Sequence, residues 1–182
     1  MDWRKTNFCF YCLAFIFYGG MITAMGPVIP FFAAETGQLE TYYSFIFFWR
    51  ALGYVVGGFA VKYLVQKFSL HGILTCAALI GGLSFMASTF SLTFLNLSVT
   101  IFVGASCCII INVICNICIM KIFPSEGEQG FYIQLLHTIF GVGGLLGPFV
   151  VSFLGSKSYF ALGLILAIVS LTFLFLSSPD GG

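Results

Sequence analysis

Apolar residues fill this chain in six long runs, at about 8–34, 42–61, 70–90, 94–120, 131–154 and 159–176. A helix rising about 1.5 Å per residue needs roughly 20 apolar residues to cross the ~30 Å hydrocarbon core of a bilayer, and the runs meet that length. Short polar breaks part them. Glu35 and Glu40 bound the first, Lys62 and Lys67 the second, and 121–130 is the most polar internal segment. The pattern predicts an all-α membrane protein, one six-helix transmembrane bundle over 1–182 with no soluble domain between its spans.

Composition agrees, with 60% hydrophobic and 7% charged residues, far from the usual soluble mix. Arg4 and Lys5 precede the first run as they would in a secretory leader. That run is too long for a signal core, and five more follow it, so it reads as a span. Arg4, Lys5, Lys62, Lys67 and Lys121 fall on the side of both termini, and Lys157 falls opposite. Basic residues in short loops favour the cytoplasm. Both termini are therefore expected to be cytoplasmic, in a multi-pass protein of the plasma membrane.

The seven cysteines all lie in apolar runs, where cysteine behaves as a small hydrophobe. Cys115 and Cys118 have metal-site spacing, but no further ligands stand near them in sequence. No metal site and no cofactor are expected.

Function should lie in the polar residues that interrupt these runs. Arg50 sits inside the second, where an arginine is costly and ordinarily faces a cavity or a partner. It shares a helix face with Gly53 and Gly57, at i, i+3 and i+7, and small residues mark a packed face. Arg50 therefore points into the bundle. Asn112 and Asn116 share a face of the fourth span. They serve either as interhelical glue or as a polar lining that binds hydroxyl groups, since an amide both donates and accepts. In the fifth span Gln134, His137, Gly141, Gly144 and Pro148 form one stripe, polar at one end and small at the other. Gly143 and Gly147 add a Gly-x-x-x-Gly. Close packing or gating is expected of the small residues and of Pro148, and binding of the polar ones. Pro27 and Pro30 in the first span fit a bent helix beside a cavity.

The order and identity of these residues resemble the major facilitator superfamily. The matching segments are Gly26-Pro27-Val-Ile-Pro30, Phe48-Trp-Arg50-Ala-Leu-Gly53-Tyr-Val-Val-Gly57-Gly58, Gly104-Ala105, Asn116-Ile-Cys-Ile-Met-Lys-Ile-Phe, and Gln134-Leu-Leu-His137 with its glycines and Pro148. The similar branch is that of fucose-permease-like and sodium-dependent glucose transporters. The resemblance implies the N-terminal half of a twelve-helix secondary transporter that carries a hexose by alternating access. Arg50, Asn116, Gln134 and His137 would then lie on the inner surface of this half, facing a missing C-terminal half or a second chain. The implied partners are a sugar and the lipid bilayer, with no nucleic acid.

Three departures qualify that implication. The loop after the second span reads Gly58-Phe-Ala-Val-Lys62 and lacks the Asp-Arg pair usual in the superfamily. The positions of the carboxylates of proton-coupled fucose permeases are Gly26 and Asn112 here, which leaves sodium coupling or facilitated diffusion. The chain ends after six spans, as a fragment, a truncated product or a pairing half would, a fragment being the expectation.

Two rival classes follow from the same residues. Gly104-Ala-Ser106-Cys and His137 loosely resemble the serine–histidine dyads of six-helix rhomboid-type intramembrane proteases, but the two side chains are expected at different depths, too far apart for nucleophile and base. An enzyme is not expected. A non-transporting membrane subunit that reuses half a transporter fold is the other alternative.

Overall fold

The computed structural model describes residues 3–91 and 93–176. They form α1 (Trp3–Thr36), a short α2 (Glu40–Tyr43), α3 (Ile46–Lys67), α4 (Leu70–Ser88), α5 (Phe94–Ile122), α6 (Glu126–Leu154) and α7 (Ser158–Thr172), and α7 continues as a 3₁₀ turn over Phe173–Phe175. Helical stretches long and apolar enough to cross a membrane are Trp3–Thr36, Glu40–Lys67, Leu70–Ser88, Phe94–Ile122 and Glu126–Phe175. The last spans 50 residues, about 75 Å if straight and more than twice the hydrocarbon thickness. Gly155 breaks it with φ of 56°, in the left-handed region that favours glycine, and the chain folds back as α7.

Local chemistry sets the ends. Ser69, Thr93 and Ser125 each accept a hydrogen bond from the backbone N–H three residues on, capping α4, α5 and α6. Ser125 also donates to the Glu128 carboxylate at 2.9 Å, which holds the cap in place. For this reason α6 starts at Glu126, five residues before its apolar run. Likewise α1 extends out to Trp3 and Thr36, since hydropathy marks what lies in the bilayer rather than where helix stops. α7 is shorter than its run and ends at Thr172. Pro27 and Pro30 stand inside an uninterrupted α1.

The helices pack in a repeating pattern. α1 lies mainly on α6, α3 on α5, and α4 on both α5 and α7. A Cβ on Gly143 would collide with the Ile16 carbonyl, and one on Gly147 with the Gly20 carbonyl. In the other half of the chain, a Cβ on Gly53 would collide with the Phe102 carbonyl, and one on Gly57 with the Ser106 carbonyl. Each pair of glycines meets two carbonyls four residues apart on the facing helix. The two contacts are copies of one design, a helix backbone seated directly on another, which only glycine permits. α1 with α6 and α3 with α5 are thereby fixed parallel, while α4 runs antiparallel to α5 and α7.

Side chains fill the space between. Tyr11, Phe15, Met21, Leu74, Ile111 and Tyr159 are among the largest fully buried side chains. α3 and α6 are the exceptions: in α3 only Ile46, Gly53, Gly57 and Val61 are buried, and in α6 only Leu136, Gly143, Gly147 and Val151. Outside its seam with α5, α3 lies open to lipid or to a partner.

Candidate functional site

The helices bring one set of polar and aromatic side chains onto adjoining faces of α1, α3, α5 and α6. Arg50, half-buried on α3, donates from Nη1 to the Ile22 carbonyl of α1 at 3.3 Å. Its Cζ lies 5.2 Å from the Phe47 ring centroid and 5.9 Å from that of Tyr54, within cation–π range. Gly53 and Gly57 seat α3 on α5, and Arg50 turns from that seam toward α1.

On α5, Asn116 Nδ2 donates to the Asn112 carbonyl at 2.8 Å and to Asn112 Oδ1 at 3.2 Å. The Asn116 Oδ1 is buried and meets no donor among the described residues. The Tyr18 hydroxyl of α1 faces the Asn112 side chain and the Tyr54 hydroxyl, while the Tyr54 hydroxyl is buried without a hydrogen bond of sound geometry. An unmet buried acceptor costs about 1–3 kcal/mol.

His137 on α6 joins the set through rings. Its imidazole sits edge-on to Phe15 at 5.8 Å, Phe15 is 5.6 Å from Tyr18, and Tyr18 is 4.9 Å from Phe140. A chain of contacts thus runs from His137 through Phe15 and Tyr18 to Asn112, and by Tyr54 to Arg50. Gln134 lies one turn before His137, exposed, with its carbonyl taken by Thr138 Oγ1 at 2.9 Å. Gln134 and His137 both lie toward the end of the bundle that holds the start of α1.

The small residues divide into two groups. Gly53 and Gly57 pack against α5 with no room for a methyl group. In α6 that task belongs to Gly143 and Gly147, while Gly144 makes only ordinary contact with the Thr23 methyl. Gly141 opens onto free space, and Pro148 is exposed. The α6 stripe of the sequence is thus not its packing seam, which lies two residues round the helix. Ser106 bonds to the Phe102 carbonyl at 2.9 Å on the α3–α5 seam, while His137 stands beside Phe15 on the α1–α6 side. They form no dyad.

Tyr18 and Tyr54 were not singled out by the sequence. Among so many aromatic residues a tyrosine reads as core. The available signal was the i, i+4 spacing of Tyr54 from Arg50. His71 was also passed over, and it is buried with Nε2 2.7 Å from the Tyr11 hydroxyl.

Two cavities lie elsewhere. One of about 320 Å³ is an apolar cleft between α3, α4 and α5, lined by Leu64, Phe68, Cys76 and Ile110 among others. Another of about 400 Å³ lies at the α6–α7 turn, beside Glu35, Thr89 and Lys157. Neither contains the residues above.

Among the described residues the long helices are of the length and apolar composition that cross a membrane. The Major Facilitator Superfamily profile matches residues 11–181, and the chain belongs to that family. Human sodium-dependent glucose transporter 1 is 30% identical over 141 residues, covering 75% of this chain and 26% of the relative. The chain spans about a quarter of that relative's length.

Proposed function

We propose that this chain forms the N-terminal half of a hexose transporter working by alternating access, and that the surface from Arg50 to His137 is its half of the solute site. The fucose-permease-like and sodium-dependent glucose transporter branch is the reading we adopt. The observation that carries it is the juxtaposition of Arg50, Tyr18, Tyr54, Asn112 and Asn116 on three helices, with buried oxygens left unmatched. Hydroxyl groups of a sugar would bond the half-buried Arg50, Asn112 and Asn116 side chains. The half-buried ring of Phe140, beside Tyr18, offers an apolar face for the sugar's C–H surface.

Alternating access needs a second half to rock against this one around a shared site. That half is a C-terminal six-helix bundle or a second chain, and the poorly covered α3 and the open face of α6 are where it would sit. Five basic residues at one end against one at the other put both termini in the cytoplasm, in the plasma membrane. The apolar runs hold no carboxylate to carry a proton, so no proton is coupled through an acid of these spans, and sodium coupling or facilitated diffusion stays open.

Equilibrium binding of labelled D-glucose to the chain in lipid nanodiscs tests the reading. Saturable binding that weakens in Asn116→Ala is expected. Binding that is unsaturable, or indifferent to Asn116, would contradict it.

A further inference from the structure

The apolar cleft between α3, α4 and α5 has a volume of about 320 Å³, within the range of ligand sites. Its walls include Leu64, Phe68, Gly72, Cys76, Cys107 and Ile110. Phe68 and Ser69 alone join α3 to α4 there, so the cleft sits at the end of the bundle that holds the start of α1. Leu64 follows Gly57 by two turns, on the α5-facing side of α3. The floor is turned away from the solute surface. Cys107 and Ile110 stand about 140° and 160° round α5 from Asn112, and α4 is not among the helices of that surface. A second half seated on the solute surface therefore leaves this cleft facing lipid.

Lipid tails are as apolar as leucine, so an apolar wall by itself prefers no particular lipid. Charge at the rim does. Lys67 follows Leu64 by three residues on α3, and Lys121 follows Ile110 by about three turns on α5. Each lies on the cleft side of its helix by that spacing, and each is exposed. At the same rim the Ser69 hydroxyl accepts from the Gly72 N–H at 3.2 Å and keeps its own proton to donate. Two cations and a hydroxyl thus border the mouth of a hydrocarbon groove, the complement of an anionic headgroup above an acyl chain.

We infer that the cleft holds an acyl chain of an anionic phospholipid whose headgroup rests on Lys67 and Lys121. The orientation proposed above puts it in the cytoplasmic leaflet, where anionic lipids concentrate. Each lysine favours a net negative headgroup over a zwitterionic one by about fivefold, an advantage that salt weakens.

The test is photo-crosslinking of the 182-residue chain in nanodiscs of phosphatidylcholine, read by mass spectrometry of the labelled peptides. The probes are phosphatidylserine and phosphatidylcholine, each with a diazirine in its acyl chain. Phosphatidylserine is expected to label 64–80 and 107–110 about fivefold or more above phosphatidylcholine, and to lose most of that advantage in high salt. Ile168 and Leu171, exposed on α7, are the reference for ordinary lipid contact and should label alike with both probes. Lys67→Gln combined with Lys121→Gln should bring the cleft down to the α7 ratio. Cys76→Phe, which puts a ring into the cleft, should remove labelling there by both probes. The same ratio at the cleft and at α7, or an advantage that survives both glutamines, overturns the inference. Displacement of the probes by cholesterol but not by unlabelled phosphatidylserine gives the cleft to a sterol and overturns it too. Both leaflets of the nanodisc are alike, so a reversed topology changes none of these results.

Discussion

Gly82 of α4 and Gly163 of α7 face each other backbone to backbone. A methyl carbon on Gly82 would lie 2.6 Å from the Gly163 carbonyl oxygen, and one on Gly163 would lie 2.5 Å from that of Gly82. This reciprocal contact joins the first three long helices to the last three. With Gly53 and Gly57 on α5, and Gly143 and Gly147 on α1, it gives the bundle three glycine seams. Between apolar helices in lipid, hydrophobic burial supplies little drive to associate, and close backbone contact must supply more.

The seams should therefore be the sites where a single methyl group does damage. Gly143→Ala and Gly57→Ala force backbone apart, and overpacking of this kind costs about 1–3 kcal/mol. Gly58→Ala and Gly141→Ala meet nothing within 4 Å and gain helix propensity, about 1 kcal/mol. Thermal unfolding of the purified variants in detergent should rank the first pair well below the parent and the second pair level with it or above. Equal behaviour of the two pairs would refute the packing scheme.

Topology gives a second expectation. Gln38 lies between α1 and α2, while Glu126 opens α6 at the opposite end of the bundle. In intact cells an impermeant thiol reagent should label Gln38→Cys above the parent chain, and label Glu126→Cys only after permeabilisation. The reverse pattern would invert the orientation.

Much of this arrangement was legible in the sequence, and the gaps have physical causes. Run length reveals helices because the bilayer sets a length, so all six were visible. Their ends were not, since Ser125 and Glu128 begin a helix by capping chemistry that apolar length ignores. Gly53 and Gly57 were readable as a seam from spacing alone. Gly82 and Gly163 lie on different helices with no local pattern to pair them. On α6 two small-residue stripes competed, at 141/144/148 and 143/147, and only the position of α1 decides which one packs. The polar residues Arg50, Asn112, Asn116, Gln134 and His137 stood out because water-free surroundings make them expensive. Tyr18 and Tyr54, half apolar themselves, did not.

Side chains on the proposed surface should control affinity. Asn116 leaves Oδ1 unmatched, and truncating a buried amide that bonds the solute costs about 1–3 kcal/mol. Asn116→Ala should weaken solute binding by roughly ten- to a hundredfold. Gln134→Ala, on an exposed part of α6, should cost less. Titration of each variant in nanodiscs checks this, with circular dichroism establishing that the helices remain. Undiminished affinity in both would leave the amides as helix glue.

The central claim is that solute occupies the face shared by α1, α3, α5 and α6. Gly141 stands on α6 one turn beyond His137, with free space where a side chain would go. Phe59 is exposed, about half a turn away from Arg50 around α3, nine residues on. The decisive measurement is the alkylation rate of Gly141→Cys and Phe59→Cys with a membrane-permeant maleimide, with and without saturating D-glucose. The account predicts several-fold slowing at position 141 with bound D-glucose, and no change at position 59. Alkylation at 141 that ignores a ligand shown to be bound would contradict it.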